Sequence, residues 1–76
     1  MHDKLTVKGA RQLAGYTQTQ MAAKMGVHMQ TYRKLEQYPG KMTIEQARRF
    51  CSIVHRSVED IFFDSNSSLT REYTEN

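Results

Sequence analysis

Apolar residues recur along this chain in short sets at helical spacing, each set broken by a glycine, a proline or a capping residue. Val7, Ala10, Arg11 and Ala14 fall at i, i+3, i+4 and i+7, which predicts a first helix from Val7 to about Ala14. Thr6 can cap it through its hydroxyl, and Gly15 stops it. Gly9 inside that helix costs roughly 0.5–1 kcal/mol relative to alanine, unless another backbone approaches there. Thr17, with Gln20 three residues on, makes a capping box that opens a second helix whose buried face is Met21, Ala22 and Met25. Gly26 ends it. Val27, Tyr32 and Leu35 then carry the apolar stripe of a third helix, about Met29 to Gln37.

Pro39 and Gly40 exclude helix continuation, so Tyr38-Pro39-Gly40-Lys41 reads as a loop. Thr43-Ile44-Glu45-Gln46 is a second capping box, opening a fourth helix with a buried stripe of Ile44, Ala47, Phe50, Cys51 and Val54. Ser57-Val58-Glu59-Asp60 starts a short fifth helix whose apolar set is Val58, Ile61 and Phe62. Phe63 is then either a spare aromatic or one more member of a small core. The expected fold is all-α, a five-helix domain over residues 1–63. Residues 64–76 are polar and read as a mobile tail, with Leu69 and Tyr73 its only large apolar pair.

At 76 residues the chain is one domain, near the size at which a single core barely suffices. It leaves no room for a catalytic domain beside a binding module. Cys51 is the only cysteine, so no internal disulfide is possible and a cytoplasmic location is expected. No apolar run reaches the roughly 18–20 residues that span a bilayer, and the N-terminus lacks the apolar core of a secretory signal. The net charge of +3 hides a division. Residues 1–58 hold ten Lys/Arg against three Asp/Glu, a net +7, while residues 59–76 hold one Arg against five, a net −4. A basic body suggests a polyanionic partner, although a solvated charged surface would look the same. His2, His28 and His55 form no metal-ligand spacing, and no phosphate loop or nucleophilic triad is present. No enzyme, cofactor, metal or small-molecule ligand is expected.

Helix, short turn with a glycine, helix is the helix-turn-helix arrangement, here over Gln18–Gln37. With Tyr32 and Leu35 inward, the third helix turns His28, Met29, Gln30, Arg33, Lys34 and Gln37 outward. Those side chains suit major-groove reading: Gln pairs bidentately with adenine, Arg or Lys with guanine, and an apolar group touches the thymine methyl. His28, Met29 and Gln30 stand at the amino end, which enters the groove first in such motifs. Base-reading candidates are therefore His28, Met29, Gln30, Arg33 and Lys34, of which Arg33 and Lys34, one turn later, could reach either bases or phosphates. His28 has a second reading as a helix cap, and Met29 as a partly packed side chain. Thr31 is well placed for a phosphate. The Tyr32 ring is expected in the core with its hydroxyl reaching the rim.

Gln18–Gln37 resembles the helix-turn-helix of lambda-repressor-like, Cro/CI-type DNA-binding domains. The resemblance rests on Thr17-Gln18 opening the first of the two helices, Ala22 and Gly26 within, an apolar residue after the glycine, and Leu35-Glu36 closing the second. More loosely it extends from about Leu5 to Phe63. It implies a buried ion pair between Arg11 and Glu36, where the alternative is an Arg11 that snorkels to solvent. It implies phosphate contacts from Thr17 and Gln18, at the positive end of a helix dipole, and from Tyr38 and Lys41 in the loop after the recognition helix. Met29 and Tyr32 depart from the residues usual at their positions. The last helix would contribute to a dimer contact.

The resemblance therefore implies a sequence-specific, double-stranded-DNA-binding transcriptional regulator. It would be a small Cro-like repressor of phage or prophage type, acting as a homodimer on an operator. The rival is a protein-interaction module of the same fold, an anti-repressor or an antitoxin, with a repressor or toxin as partner. The acidic tail, Met29 and the Phe62-Phe63 pair fit that rival; the basic, hydrogen-bonding face of the third helix fits DNA.

Overall fold

A computed structural model of the chain describes residues 4–63. Four α-helices follow one another: α1 (Val7–Ala14), α2 (Gln18–Met25), α3 (Met29–Gln37) and α4 (Ile44–Val54). Thr6, Thr17 and Thr43 cap α1, α2 and α4, each hydroxyl accepting from the backbone N–H three residues on, at 2.9, 3.1 and 3.0 Å. Gln20 and Gln46 return the favour to the N–H groups of Thr17 and Thr43 at 2.9 Å, so both expected capping boxes are closed. Gly15 and Gly26 end α1 and α2 in the left-handed region, at φ 86° and 72°. His55 ends α4 in the same way at φ 59°, without a glycine. At Gly9 the close neighbour is a side chain: an added Cβ would stand 3.1 Å from the Thr6 hydroxyl that caps the helix.

The core forms where the helices converge. Met21 of α2, Tyr32 of α3 and Phe50 of α4 are fully buried, with Val7 and Ala10 of α1 beside them. Ala22 is small where α2 packs against its neighbours, and Cys51 is a buried free thiol within the same cluster. Its pKa is raised by burial, helped by the Asp60 carboxylate, so it stays a packed thiol rather than a reactive thiolate. Ile44 does not join this stripe. It is the first residue of α4 and 56% exposed, because that helix begins outside the buried cluster; Met42, just before the cap, packs there instead.

The fifth helix is corrected by the structure. Val58–Asp60 makes a single 3-10 turn, closed by the Asp60 N–H to the Ser57 carbonyl at 3.0 Å, and the backbone then becomes extended. Ile61–Phe62 is a strand, β2, paired in parallel with β1 (Leu5–Thr6), Leu5 opposite Ile61 and Thr6 opposite Phe62. The burial phase changes accordingly from 3.6 to 2. Ile61 and Phe63 are buried, while Phe62 is 43% and Val58 42% exposed. β-branched and aromatic residues in a row favour this pleated arrangement, and Leu5–Thr6 satisfies their backbone groups. Two strands of two residues are not stable alone. The core beneath Ile61 and Phe63 holds them. The domain is thus mostly helical, four α-helices among the described residues, with one small parallel strand pair. Pro39–Lys41, expected as loop, makes another 3-10 turn. The tail, 64–76, lies outside the described residues. No helix among the described residues is long and apolar enough to cross a membrane.

The strand phase separates two adjacent phenylalanines. Phe63→Ala should cost about 3–5 kcal/mol in urea unfolding, as expected for a buried aromatic, and Phe62→Ala about 1 kcal/mol or less. Equal costs would mean that the segment is not packed as a strand.

Candidate nucleic-acid interface

The interface is built around a carboxylate on its inner side. Glu36, the penultimate residue of α3, is reached by donors from all three of the first helices. Arg11 Nε of α1 donates to Oε2 at 2.7 Å and Nη2 to Oε1 at 3.4 Å. The Tyr32 hydroxyl, one turn earlier on α3, donates to Oε2 at 2.7 Å, and Gln18 Nε2, first residue of α2, to Oε1 at 2.8 Å. Arg11 Nη1 turns to the Tyr16 carbonyl at 2.9 Å, in the α1–α2 turn. The two charged side chains are only 9% and 6% exposed. The Arg11–Glu36 pair is therefore present and buried; Arg11 does not snorkel.

Each pKa follows from that enclosure. Burial pushes the Glu36 carboxyl up, but the hydrogen bonds from Arg11, Tyr32 and Gln18 outweigh it and hold the group below its ordinary value. Arg11 is raised, chiefly by its hydrogen bond to Glu36. Tyr32 is raised by burial and then by donating to Glu36, so its hydroxyl remains a donor at any ordinary pH. The expectation that this hydroxyl reaches the rim is corrected. It turns inward because an aromatic at that position, one helical turn before Glu36, brings its oxygen onto the carboxylate.

With Tyr32 and Leu35 buried, the outer face of α3 presents His28, Met29, Gln30, Thr31, Arg33, Lys34 and Gln37, all exposed. His28 stands at the N-cap but makes no side-chain capping bond, which leaves its ring available. Met29 is 39% exposed and its sulfur accepts from the Thr19 hydroxyl at 3.0 Å, so it is partly tied to α2. Gln30 is at the second helical position, and Lys34 is in the last turn, where a cation complements the helix dipole.

The phosphate candidates flank this face. Thr17 and Gln20 use each other's backbone N–H groups, which leaves those of Gln18 and Thr19 free at the start of α2. Gln18 has spent one amide hydrogen on Glu36 and keeps the second. Tyr38 is 52% exposed and Lys41 exposed, on and just after the C-terminal end of α3. One lining residue was not singled out from the sequence. Lys8 of α1 shares an open depression with Gln18, Arg33, Glu36 and Gln37. Its position three residues before Arg11, on the same side of α1, was the signal available.

A helix of nine residues presenting a polar, cationic face beside the free N-terminus of a second helix defines a helix-turn-helix nucleic-acid-binding domain. The family model described as helix-turn-helix matches residues 7–61, and the chain belongs to that family, the lambda-repressor-like, Cro/CI-type DNA-binding regulators. No curated protein and no solved structure matches the chain.

Glu36→Gln keeps the shape of the hub and removes its charge, leaving Arg11 buried without a counter-ion. It should cost about 3–5 kcal/mol in urea unfolding at neutral pH. Tyr32→Phe should cost about 1.5–3 kcal/mol, the range for a hydrogen bond to a charged group. The acid limb supplies an independent check. Because the folded carboxyl lies below its unfolded value of 4.5, its contribution is complete above that pH and is lost as pH falls through the folded value. The wild type should therefore lose stability below pH 4.5 more steeply than Glu36→Gln. Parallel acid limbs would mean that Glu36 is not held ionised by this network.

Proposed function

We propose that this chain is a sequence-specific transcriptional regulator of the Cro-like repressor type, acting in the cytoplasm of a bacterial cell or phage-infected host. In this reading α3 enters the major groove of double-stranded DNA. Gln30 reads adenine, Lys34 reads guanine, Arg33 reaches either a guanine or a phosphate, and His28 and Met29 contribute at the amino end of the helix. Thr17, Gln18, Thr31, Tyr38 and Lys41 fix the register on phosphates. The observation that carries the reading is the outer face of α3, where every candidate reader is exposed while Tyr32 and Leu35 anchor the opposite side. One such domain buries too little surface to bind tightly by itself. It therefore acts as a homodimer on a two-fold symmetric operator whose half-site centres lie about 34 Å apart.

The second reading is a protein-interaction module that binds a repressor or a toxin. It is favoured by exposed apolar side chains on elements other than α3, Leu13 at 65% and Phe62 at 43%. The burial of Phe63 removes half of the aromatic pair that first suggested it.

Selection of random duplex DNA by the purified protein at near-physiological salt separates the two. A two-fold symmetric consensus is expected; no enrichment over random DNA would turn the reading toward a protein partner. On the selected operator Gln30→Ala should cost about 1–3 kcal/mol and relax preference at one base position. Equal losses on operator and random DNA would exclude base reading by Gln30. Lys41→Ala should weaken all sequences alike and lower the salt slope by about one unit. An unchanged slope would exclude Lys41 as a phosphate contact.

A further inference from the structure

The depression shared by α1, α2 and α3 has chemistry that base reading does not use. Lys8, Gln18, Arg33, Glu36 and Gln37 line it, and its volume is about 300 Å³. An anion would meet Glu36 there, which by itself would repel it. Arg11, however, lies against that carboxylate from the inner side at 2.7 Å, so the Glu36 charge is already neutralised. Tyr32 and Gln18 add two more donors to it. What then remains facing the depression is Lys8 and Arg33. Both side chains are exposed, and neither makes an ion pair or side-chain hydrogen bond among the described residues. Two unpaired cations on separate helices thus face a space with amide donors on Gln18 and Gln37.

We propose that Lys8 and Arg33 flank a seat for one phosphodiester group of the DNA backbone, closed by the amides of Gln18 and Gln37, so that α1 joins the DNA-contacting surface. The inference rests on the reading of α3 as the groove-entering helix, because the seat lies at the junction of α3 with the start of α2. Of the two reaches open to Arg33, it selects the backbone, leaving Gln30 and Lys34 as the readers beyond the amino end. A planar guanidinium and a compact ammonium suit the two sides of one phosphate. The guanidinium offers paired donors to two oxygens, and the ammonium acts as a point charge. The Glu36 network sets the seat's geometry, since the Gln18 amide that closes it is oriented by its bond to Oε1.

The test replaces the phosphates of the selected operator one at a time with neutral methylphosphonate and measures affinity for wild type, Lys8→Ala and Arg33→Ala. Each variant should bind the unmodified operator about two- to fivefold more weakly, as expected for an exposed ion pair. At one phosphate per half-site, the same for both variants, that deficit should vanish, because the charge each residue met is already gone. Lys8 is exposed on a helix, and unchanged urea midpoints would show that the variants remain folded. Lys8→Gln, which keeps the aliphatic stem, should behave as Lys8→Ala does. A Lys8 deficit that persists at every phosphate would reduce the residue to diffuse attraction and overturn the seat. So would no deficit at all, or deficits for Lys8 and Arg33 that vanish at different phosphates. Failure of wild type to enrich any operator would instead overturn the groove reading itself.

Discussion

A carboxylate taken out of water must be surrounded by donors, and the arrangement of α1, α2 and α3 depends on how Glu36 meets that condition. Its two oxygens receive the guanidinium of Arg11, the hydroxyl of Tyr32 and the amide of Gln18. Burying two charges costs several kcal/mol per ion, which their attraction repays only when the geometry is good and the remaining lone pairs are filled. Among the described residues no buried side-chain polar atom lacks a partner, so that condition holds here. The net gain over a well-packed apolar alternative is nevertheless small. The larger consequence is specificity. Any shift of α3 against α1 or α2 would strand a charge or a buried donor, so competing postures of the helix are the ones penalised.

That penalty matters because α3 has little of its own to hold it. At nine residues it is below the length at which isolated helices persist in water. Its apolar face is only Tyr32 and Leu35, and its start at His28 lacks a side-chain cap. The posture of its outer face is therefore set from the inside, by Tyr32 in the core and Glu36 in the network. The same neutralisation shapes the field outside. Glu36 is the only carboxylate on α3, and Arg11 cancels it, so the charge of Lys8, Arg33 and Lys34 is expressed at the surface undiminished.

Local chemistry made much of this legible in the sequence. The bounds of α1, the capping boxes at Thr17 and Thr43, and the glycine stops at Gly15 and Gly26 each depend on residues within four positions, and each stands as read. The Arg11–Glu36 pair spans 25 residues and was visible only through the family resemblance. What could not be read depends on tertiary contacts. Ser57–Phe63 has a set of apolar residues that fits either period. Only the pairing of Ile61 and Phe62 with Leu5 and Thr6 decides for a strand. Ile44 continues the α4 stripe in sequence, yet the core ends before reaching it. His55 gives no sequence sign of a left-handed cap. For Gln18 the resemblance implies only a phosphate contact. Its bond to Glu36 appears only once two helices are brought together.

Tyr32 shows how the core and the outer surface become one system. An aliphatic side chain there would fill space in the same core but would leave Glu36 Oε2 with Arg11 as its sole partner. The phenol instead gives a fully buried ring and a donor at 2.7 Å from the carboxylate. Packing of the core thereby fixes Tyr32, Tyr32 fixes one oxygen of Glu36, and the other oxygen holds the Gln18 amide at the start of α2. Stability of the fold and placement of the exposed face of α3 and the start of α2 are, in this chain, consequences of the same few atoms.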